Sequence, residues 1–196
     1  MVRKPKSPPA PGSPGFGPTQ PGTVPVPGAH GRATIPLPGA AAPPPPNVDT
    51  ILTAASQHHQ AGRVDQAEAG YRQALAHAPA HPHALHLMGV VYLQKGDPGS
   101  AADYLEKAVA VANNNADFHA DLGVALMTIG RNDEGLVHFQ RAAELRPDFA
   151  MAHYNVGLAL VQAGDLPAAA ESFRRAVSLD SNLADAHMNL GLILLQ

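Results

Sequence analysis

Asn155-Val156-Gly157-Leu158-Ala159-Leu160-Val161-Gln162-Ala163-Gly164-Asp165 has a near copy earlier in the chain, Asp121-Leu122-Gly123-Val124-Ala125-Leu126-Met127-Thr128-Ile129-Gly130-Arg131. Working outward, the second glycine of each stretch belongs to a series, Gly62, Gly96, Gly130 and Gly164, always 34 residues apart. A period of this length with glycine at a fixed phase is the sequence mark of stacked helical hairpins. It turns the functional question away from a catalytic cleft, because such arrays present long surfaces to partners.

Residues 48–81, 82–115, 116–149, 150–183 and 184–196 align beneath one another. Position 8 reads Ala55, Gly89, Gly123, Gly157 and Gly191, small residues that let two helices approach. Position 20 reads Ala67, Ala101, Gly135 and Ala169, and position 27 is alanine four times, Ala74, Ala108, Ala142 and Ala176. Large residues fill position 24 as Tyr71, Leu105, Phe139 and Phe173. Position 11 is His58, Tyr92, Leu126, Leu160 and Leu194. Apolar or small residues three and four apart predict two amphipathic helices per repeat. Small residues would receive large ones as holes receive knobs. Asp97-Pro98 and Asp165-Leu166-Pro167 each place a capping side chain before a proline that tolerates a helix start.

These residues carry a resemblance to the tetratricopeptide repeat family, whose pattern has small residues at 8, 20 and 27, aromatics at 11 and 24, and proline at 32. It covers residues 48–196, as four full repeats and the first helix of a fifth. Departures are local: His119, His153 and His187 stand at position 4 in place of tryptophan, and His58 is a poor position 11. The resemblance implies an all-α, right-handed solenoid. The array also resembles those that precede O-linked N-acetylglucosamine transferase-like domains in bacterial proteins, through Gln66 to Leu75 and His81 to Gly89.

Composition divides the chain at residue 46. Residues 1–46 hold fifteen of the twenty prolines, and their only charges are Arg3, Lys4, Lys6 and Arg32. Proline at this density blocks helices and leaves too little apolar surface to offset ordering entropy. The expectation is a disordered, proline-rich spacer with local polyproline II character. Pro5–Pro8, Pro8–Pro11 and Pro11–Pro14 also fit the spacing of a docking motif. Residues 47–196 hold nine Lys/Arg against sixteen Asp/Glu. That acidic balance argues against nucleic acid, which needs a basic face. No apolar stretch reaches the length of a membrane span, and a cytoplasmic location is expected by default.

In the family it resembles, first helices line a concave groove through positions 2, 5, 6, 9, 12 and 13. The first repeat then contributes Asp49, Leu52, Thr53, Ser56, His59 and Gln60. The residues singled out for peptide binding are Asp117, Asp121, Tyr154, Asn155, Leu158, Asp185 and Asn189. First helices contain no arginine, and their only lysine is Lys95, at the end of the second. A groove without cations cannot clamp carboxylates or phosphates by charge. The expected partner is therefore a protein or peptide segment, extended and neutral or basic, held by apolar contacts and amide hydrogen bonds. Asn155 and Asn189 share position 6 and form a short amide row, similar to the asparagine ladder of O-linked N-acetylglucosamine transferases.

Catalytic chemistry finds little support. There is no cysteine, no Gly-rich phosphate loop and no Ser/His/Asp set apart from the periodic residues. His77, His81, His83 and His86 crowd one junction, where a polar rim of imidazoles is preferred to a metal site because no acid lies between Glu68 and Asp97. The chain as it stands is expected to be a non-enzymatic scaffold with no cofactor and no metal. The alternative is the recognition arm of a transferase whose catalytic part lies elsewhere. The last helix exposes leucines with no second helix to cover them, which suggests a fragment of something longer, or a self-associating end.

Overall fold

The computed structural model describes residues 47–195 of the 196-residue chain. The proline-rich segment and Gln196 lie outside the described residues, and with them the expectations placed there. Among the described residues there are nine helices and no strand: α1 (Val48–Gln60), α2 (Val64–His77), α3 (Pro82–Gln94), α4 (Pro98–Val111), α5 (Ala116–Thr128), α6 (Asn132–Leu145), α7 (Ala150–Ala163), α8 (Leu166–Leu179) and α9 (Ala184–Leu194). Each packs on the next in chain order, giving four hairpins and a fifth first helix. The architecture is the all-α solenoid that the periodicity predicts.

Turn chemistry sets the hairpin. Gly62, Gly96, Gly130 and Gly164 all have φ between 71° and 82°, the left-handed region where a side chain is strained. The amide after each glycine bonds back to the carbonyl five residues earlier: Arg63 to His58 and Arg131 to Leu126, both at 2.9 Å, with Asp97 to Tyr92 and Asp165 to Leu160 alike. These bonds satisfy last-turn carbonyls that would otherwise be orphaned. The next helix starts on a cap where the sequence supplies one. Asp97 accepts from the Ser100 amide at 3.0 Å and Asp165 from the Ala168 amide at 3.1 Å, ahead of Pro98 and Pro167. Glycine and carboxylate together punctuate the turn.

Packing between paired helices depends on position 8. A Cβ built on Gly123 would lie 2.5 Å from the Phe139 ring, and one on Gly157 would lie 2.6 Å from the Phe173 ring. Gly89 meets the Leu105 side chain at 2.4 Å in the same way. Position 24 thus enters the space that the missing Cβ leaves, and these three partners are buried. The first repeat moves the gap across the interface: Ala55 carries a Cβ, and Gly70 on the facing helix makes room for it. Burying a side chain of Phe or Leu size contributes about 1.5–3 kcal/mol, so this contact, repeated along the array, is a main source of cohesion. On α9, a Cβ at Gly191 would meet nothing within 4 Å. Met188, Leu192 and Leu194 are exposed on the same helix, as is Leu195 just beyond its end.

Candidate functional site

Neighbouring first helices touch through side chains 35 residues apart. His59 Nε2 lies 2.8 Å from Gln94 Oε1, between α1 and α3. His86 Nε2 lies 2.7 Å from Asp121 Oδ2, between α3 and α5. The Asn189 amide donates to the Tyr154 hydroxyl at 3.5 Å, between α9 and α7. The rungs join position 5 of one repeat to position 6 of the next, or position 12 to position 13. These contacts tie three of the four pairs of successive first helices together on one face. That face is the candidate groove.

The seven residues singled out from sequence fall into two groups on this face. Asp185, Asn189 and Tyr154 gather between α7 and α9. Burial, and secondarily the Asp185 charge, raise the Tyr154 hydroxyl above the ordinary phenol range, while the hydrogen bond from Asn189 opposes this. Leu158 packs partly into the core with Phe173, so little of it remains for a ligand. Asp117 and Asp121 lie on α5, and both are engaged.

The engagement of Asp117 corrects one expectation. The groove is not free of cations: Arg146, just beyond the end of α6, donates to both Asp117 oxygens, at 3.0 and 2.6 Å. Its guanidinium also lies 4.6 Å from the Phe149 ring centroid. Arg146 belongs to a turn in sequence, but its long side chain reaches back to the start of the paired first helix. The hydrogen bonds to Asp117 raise the guanidinium further above its ordinary range. The pairing satisfies both partners and leaves no loose positive charge to clamp an anionic ligand.

Asn155 differs from its neighbours. Its ladder partner would be residue 120, and Ala120 has no polar group to offer. Half-buried, Asn155 makes no side-chain hydrogen bond among the described residues. The amide row expected of Asn155 and Asn189 is therefore unequal, with one amide tied to Tyr154 and the other free.

This face is also indented over the first two repeats. One cavity of about 560 Å³ is lined by Asp49, Leu52, Thr53, Ser56 and Gln57 among others, and an adjoining one of about 310 Å³ reaches His59, Tyr71 and Gln94. Sequence reading assigned Asp49, Leu52, Thr53, Ser56 and His59 to the groove without preferring them, and it did not include Gln57 or Tyr71. No charge run or unusual residue marks them, because their distinction is the shape between two helices.

Histidines at position 4 have a single shared task. His119, His153 and His187 each place Nε2 at 3.1 Å from a carbonyl six residues earlier, those of Asn113, Pro147 and Ser181. Each N–H thus closes the turn that enters its repeat. The crowded histidines of the second repeat divide their roles. His81 Nδ1 accepts from the Ala84 amide as an N-cap, while His83 and His86 flank the buried Phe118 ring at 5.4 and 4.5 Å. No group of three His, Asp or Glu among the described residues is arranged to hold a metal ion.

Two family models, both tetratricopeptide repeat, match residues 48–114 and 120–184. The chain belongs to the tetratricopeptide repeat family. Solved structures agree with this. MamA is 26% identical with a TM-score of 0.68, over 72% of this chain and 82% of that one. YrrB, described as a TPR protein with an unusual peptide-binding site, is 27% identical with a TM-score of 0.68, over 76% of this chain and 77% of its own. An O-GlcNAc transferase mutant from Thermobaculum terrenum is 30% identical with a TM-score of 0.63, over 67% of this chain but only 26% of that protein. No curated protein matches by sequence. No helix among the described residues is long and apolar enough to cross a membrane.

Proposed function

We propose that this TPR array is a protein-interaction scaffold that captures an extended peptide, neutral or basic, along its first-helix face. The observation that carries the reading is the state of the polar groups there. Asp117 is neutralised by Arg146 and Asp121 is bonded to His86, while the Asn155 amide, Asp49 and Asp185 are left to face a ligand. A free amide on a groove wall can satisfy a peptide N–H or C=O whatever the side chain. Free carboxylates without free cations favour a basic segment and disfavour an acidic one. That the similar YrrB is described as having a peptide-binding site supports peptide capture in general.

The test is selection of a displayed library of random dodecapeptides on the full chain, repeated with Asn155→Ala plus Asn189→Ala. These changes leave the small-to-large packing positions untouched. Selected peptides should bind the double variant more weakly, at unchanged helical content. Peptides that bind both forms equally would remove the two amides from the site, and a library that yields no binder would remove the groove reading itself.

The likeness to the Thermobaculum terrenum enzyme favours one second reading, that of a recognition arm for a glycosyltransferase. It would use the same groove on the same class of extended polypeptide. Fusing or adding a transferase domain should then raise its activity on peptides selected by the array and leave unselected peptides unaffected.

A further inference from the structure

The two cavities over the first repeats share Ser56, Gln60 and Leu87, so they form one continuous trough between α1 and α3. Its floor is apolar: Leu52 is buried and Leu87 half-buried. Several of its polar groups are already occupied. The Thr53 hydroxyl donates to the Asp49 carbonyl oxygen at 2.8 Å, and the Tyr71 hydroxyl donates to Ser56 at 3.4 Å. His59 is held between Tyr71, at 3.2 Å, and Gln94. What remains without a hydrogen bond among the described residues is the Asp49 carboxylate at one end, the amides of Gln57 and Gln60 toward the other, and the His83 ring, which rests edge-on against Phe118. Neither cavity is lined by a lysine or an arginine.

The spacing of these groups restricts what fits. Asp49 and Gln60 are eleven helical rises apart, about 16 Å along α1. An extended peptide advances about 3.3 Å per residue, so roughly five residues span the trough. Alternate side chains of such a peptide share a face and lie about 6.6 Å apart. A side chain placed at Asp49 therefore has its same-face neighbour beyond the level of Leu52, over the floor completed by Leu87.

We propose that this trough reads an extended peptide in which a lysine or arginine lies two residues from a large apolar side chain. Asp49 pairs with the cation, Leu52 and Leu87 seat the apolar group, and Gln57 and Gln60 hydrogen-bond the peptide backbone. This rests on the groove reading above and gives one end of the captured peptide a ligand class and an address, the first two repeats. The charge argument is one of complementarity. Asp49 is the only side chain of fixed charge lining the trough, and it has no ion pair among the described residues.

The library selection supplies the first readout. Enrichment of Lys/Arg-x-Leu, Ile, Val, Met or Phe, in either direction, is the expected result. Enrichment of acidic or pattern-free peptides overturns the inference while leaving the groove reading standing. The second readout is fluorescence anisotropy of the full chain with two labelled nine-residue peptides, alike except for Arg-Ser-Leu or Glu-Ser-Leu at the centre. The arginine peptide should bind about tenfold tighter, the combined effect of one exposed attraction gained and one repulsion avoided. Asp49→Asn should reduce that gap to below about threefold, and Leu87→Gln should weaken both peptides, with helical content unchanged in each variant. A gap that survives Asp49→Asn overturns the proposal. A gap lost instead in the Asn155→Ala, Asn189→Ala variant moves the ligand to the later repeats and overturns the address alone. Failure of both peptides and of the library overturns trough and groove together.

Discussion

His119 and His138 face each other Nδ1 to Nδ1 at 2.9 Å, between the two helices of the third repeat. The contact fixes their tautomers. His119 Nε2 serves the Asn113 carbonyl and must carry its proton, so His119 Nδ1 accepts and His138 Nδ1 donates. Two neutral rings satisfy this arrangement, and two charged rings cannot. Burial holds both imidazoles below their ordinary range. At His119 the hydrogen bond to the Asn113 carbonyl opposes this, and Arg141 adds to it. At His138 the other ring and Arg131 add to it, while Glu134 and Glu106 oppose it.

The expected consequence is a stability that depends on pH through this pair. A histidine whose folded pKa is depressed stabilises the fold fully above the unfolded value of 6.5. That contribution is lost as pH falls below 6.5 toward the folded value, because the unfolded chain then binds protons that the folded pair refuses. Urea midpoints taken from pH 7.5 to 5 should decline through this window. The double variant His119→Phe, His138→Leu, which removes both titrating groups at similar size, should show a flatter profile. Carboxylates do not confuse the reading: Lys95 holds Asp65 and Glu68 below their ordinary range, and Arg131 does so for Glu134, so their contributions fade only at more acid pH. An unchanged slope in the double variant would assign the pH dependence to other groups.

Position 8 gives a prediction that changes sign along the array. Gly123→Ala and Gly157→Ala each drive a Cβ into a buried phenylalanine ring, and overpacking of this kind costs about 1–3 kcal/mol. Gly191→Ala occupies the same repeat position but meets open space. There, the better helix propensity of alanine should stabilise by up to about 1 kcal/mol. Thermal unfolding of the three single variants measures the contrast, and equal effects at all three positions would show that position 24 does not fill the space at position 8.

The contrast also shows how much was legible beforehand. Glycine at positions 8 and 15 advertises itself, because a period of small residues has few physical causes other than close approach and left-handed turns. The helices, their order and the caps at Asp97 and Asp165 could therefore be read from one chain. The exchange between Ala55 and Gly70 is harder to read, since each looks like a departure until the facing helix is seen. Site residues are harder still. Asp117 reads as a groove acid, and its neutralisation by Arg146 depends on a long side chain that folds back from a turn. The trough over Leu52 and Leu87 has no sequence signature, because leucine, serine and glutamine on a helix are ordinary and only their enclosure by α1 and α3 makes them a site.

Buried aromatics between repeats should be costly to remove. Phe118 is 2% exposed, lies against the rings of His83 and His86, and packs with Leu85 and Ala108 of the preceding repeat. Phe118→Ala should destabilise by about 3–5 kcal/mol, more than any exposed change on α5. Hydrogen exchange should show the loss on both sides of the junction, because each repeat leans on its neighbour. A loss confined to α5 would mean that Phe118 holds only its own hairpin.

Arg146 offers the last test, because stability and binding should respond to it differently. The Asp117 pair is about half exposed, so screening limits it to at most about 1 kcal/mol even with bidentate geometry. Arg146→Gln should therefore leave the unfolding midpoint nearly unchanged. Its effect on the groove should be larger in kind, since it frees a carboxylate at position 2 by removing the arginine paired with it. A basic peptide that contacts the third repeat should bind the variant more tightly, with a steeper loss of affinity as salt is added. Asp117→Asn on the same background should return affinity and salt dependence toward those of the unmodified chain. Tighter binding that persists after Asp117→Asn would place the effect of Arg146 on the ligand itself, and the pair would then be a structural clasp with no part in selecting charge.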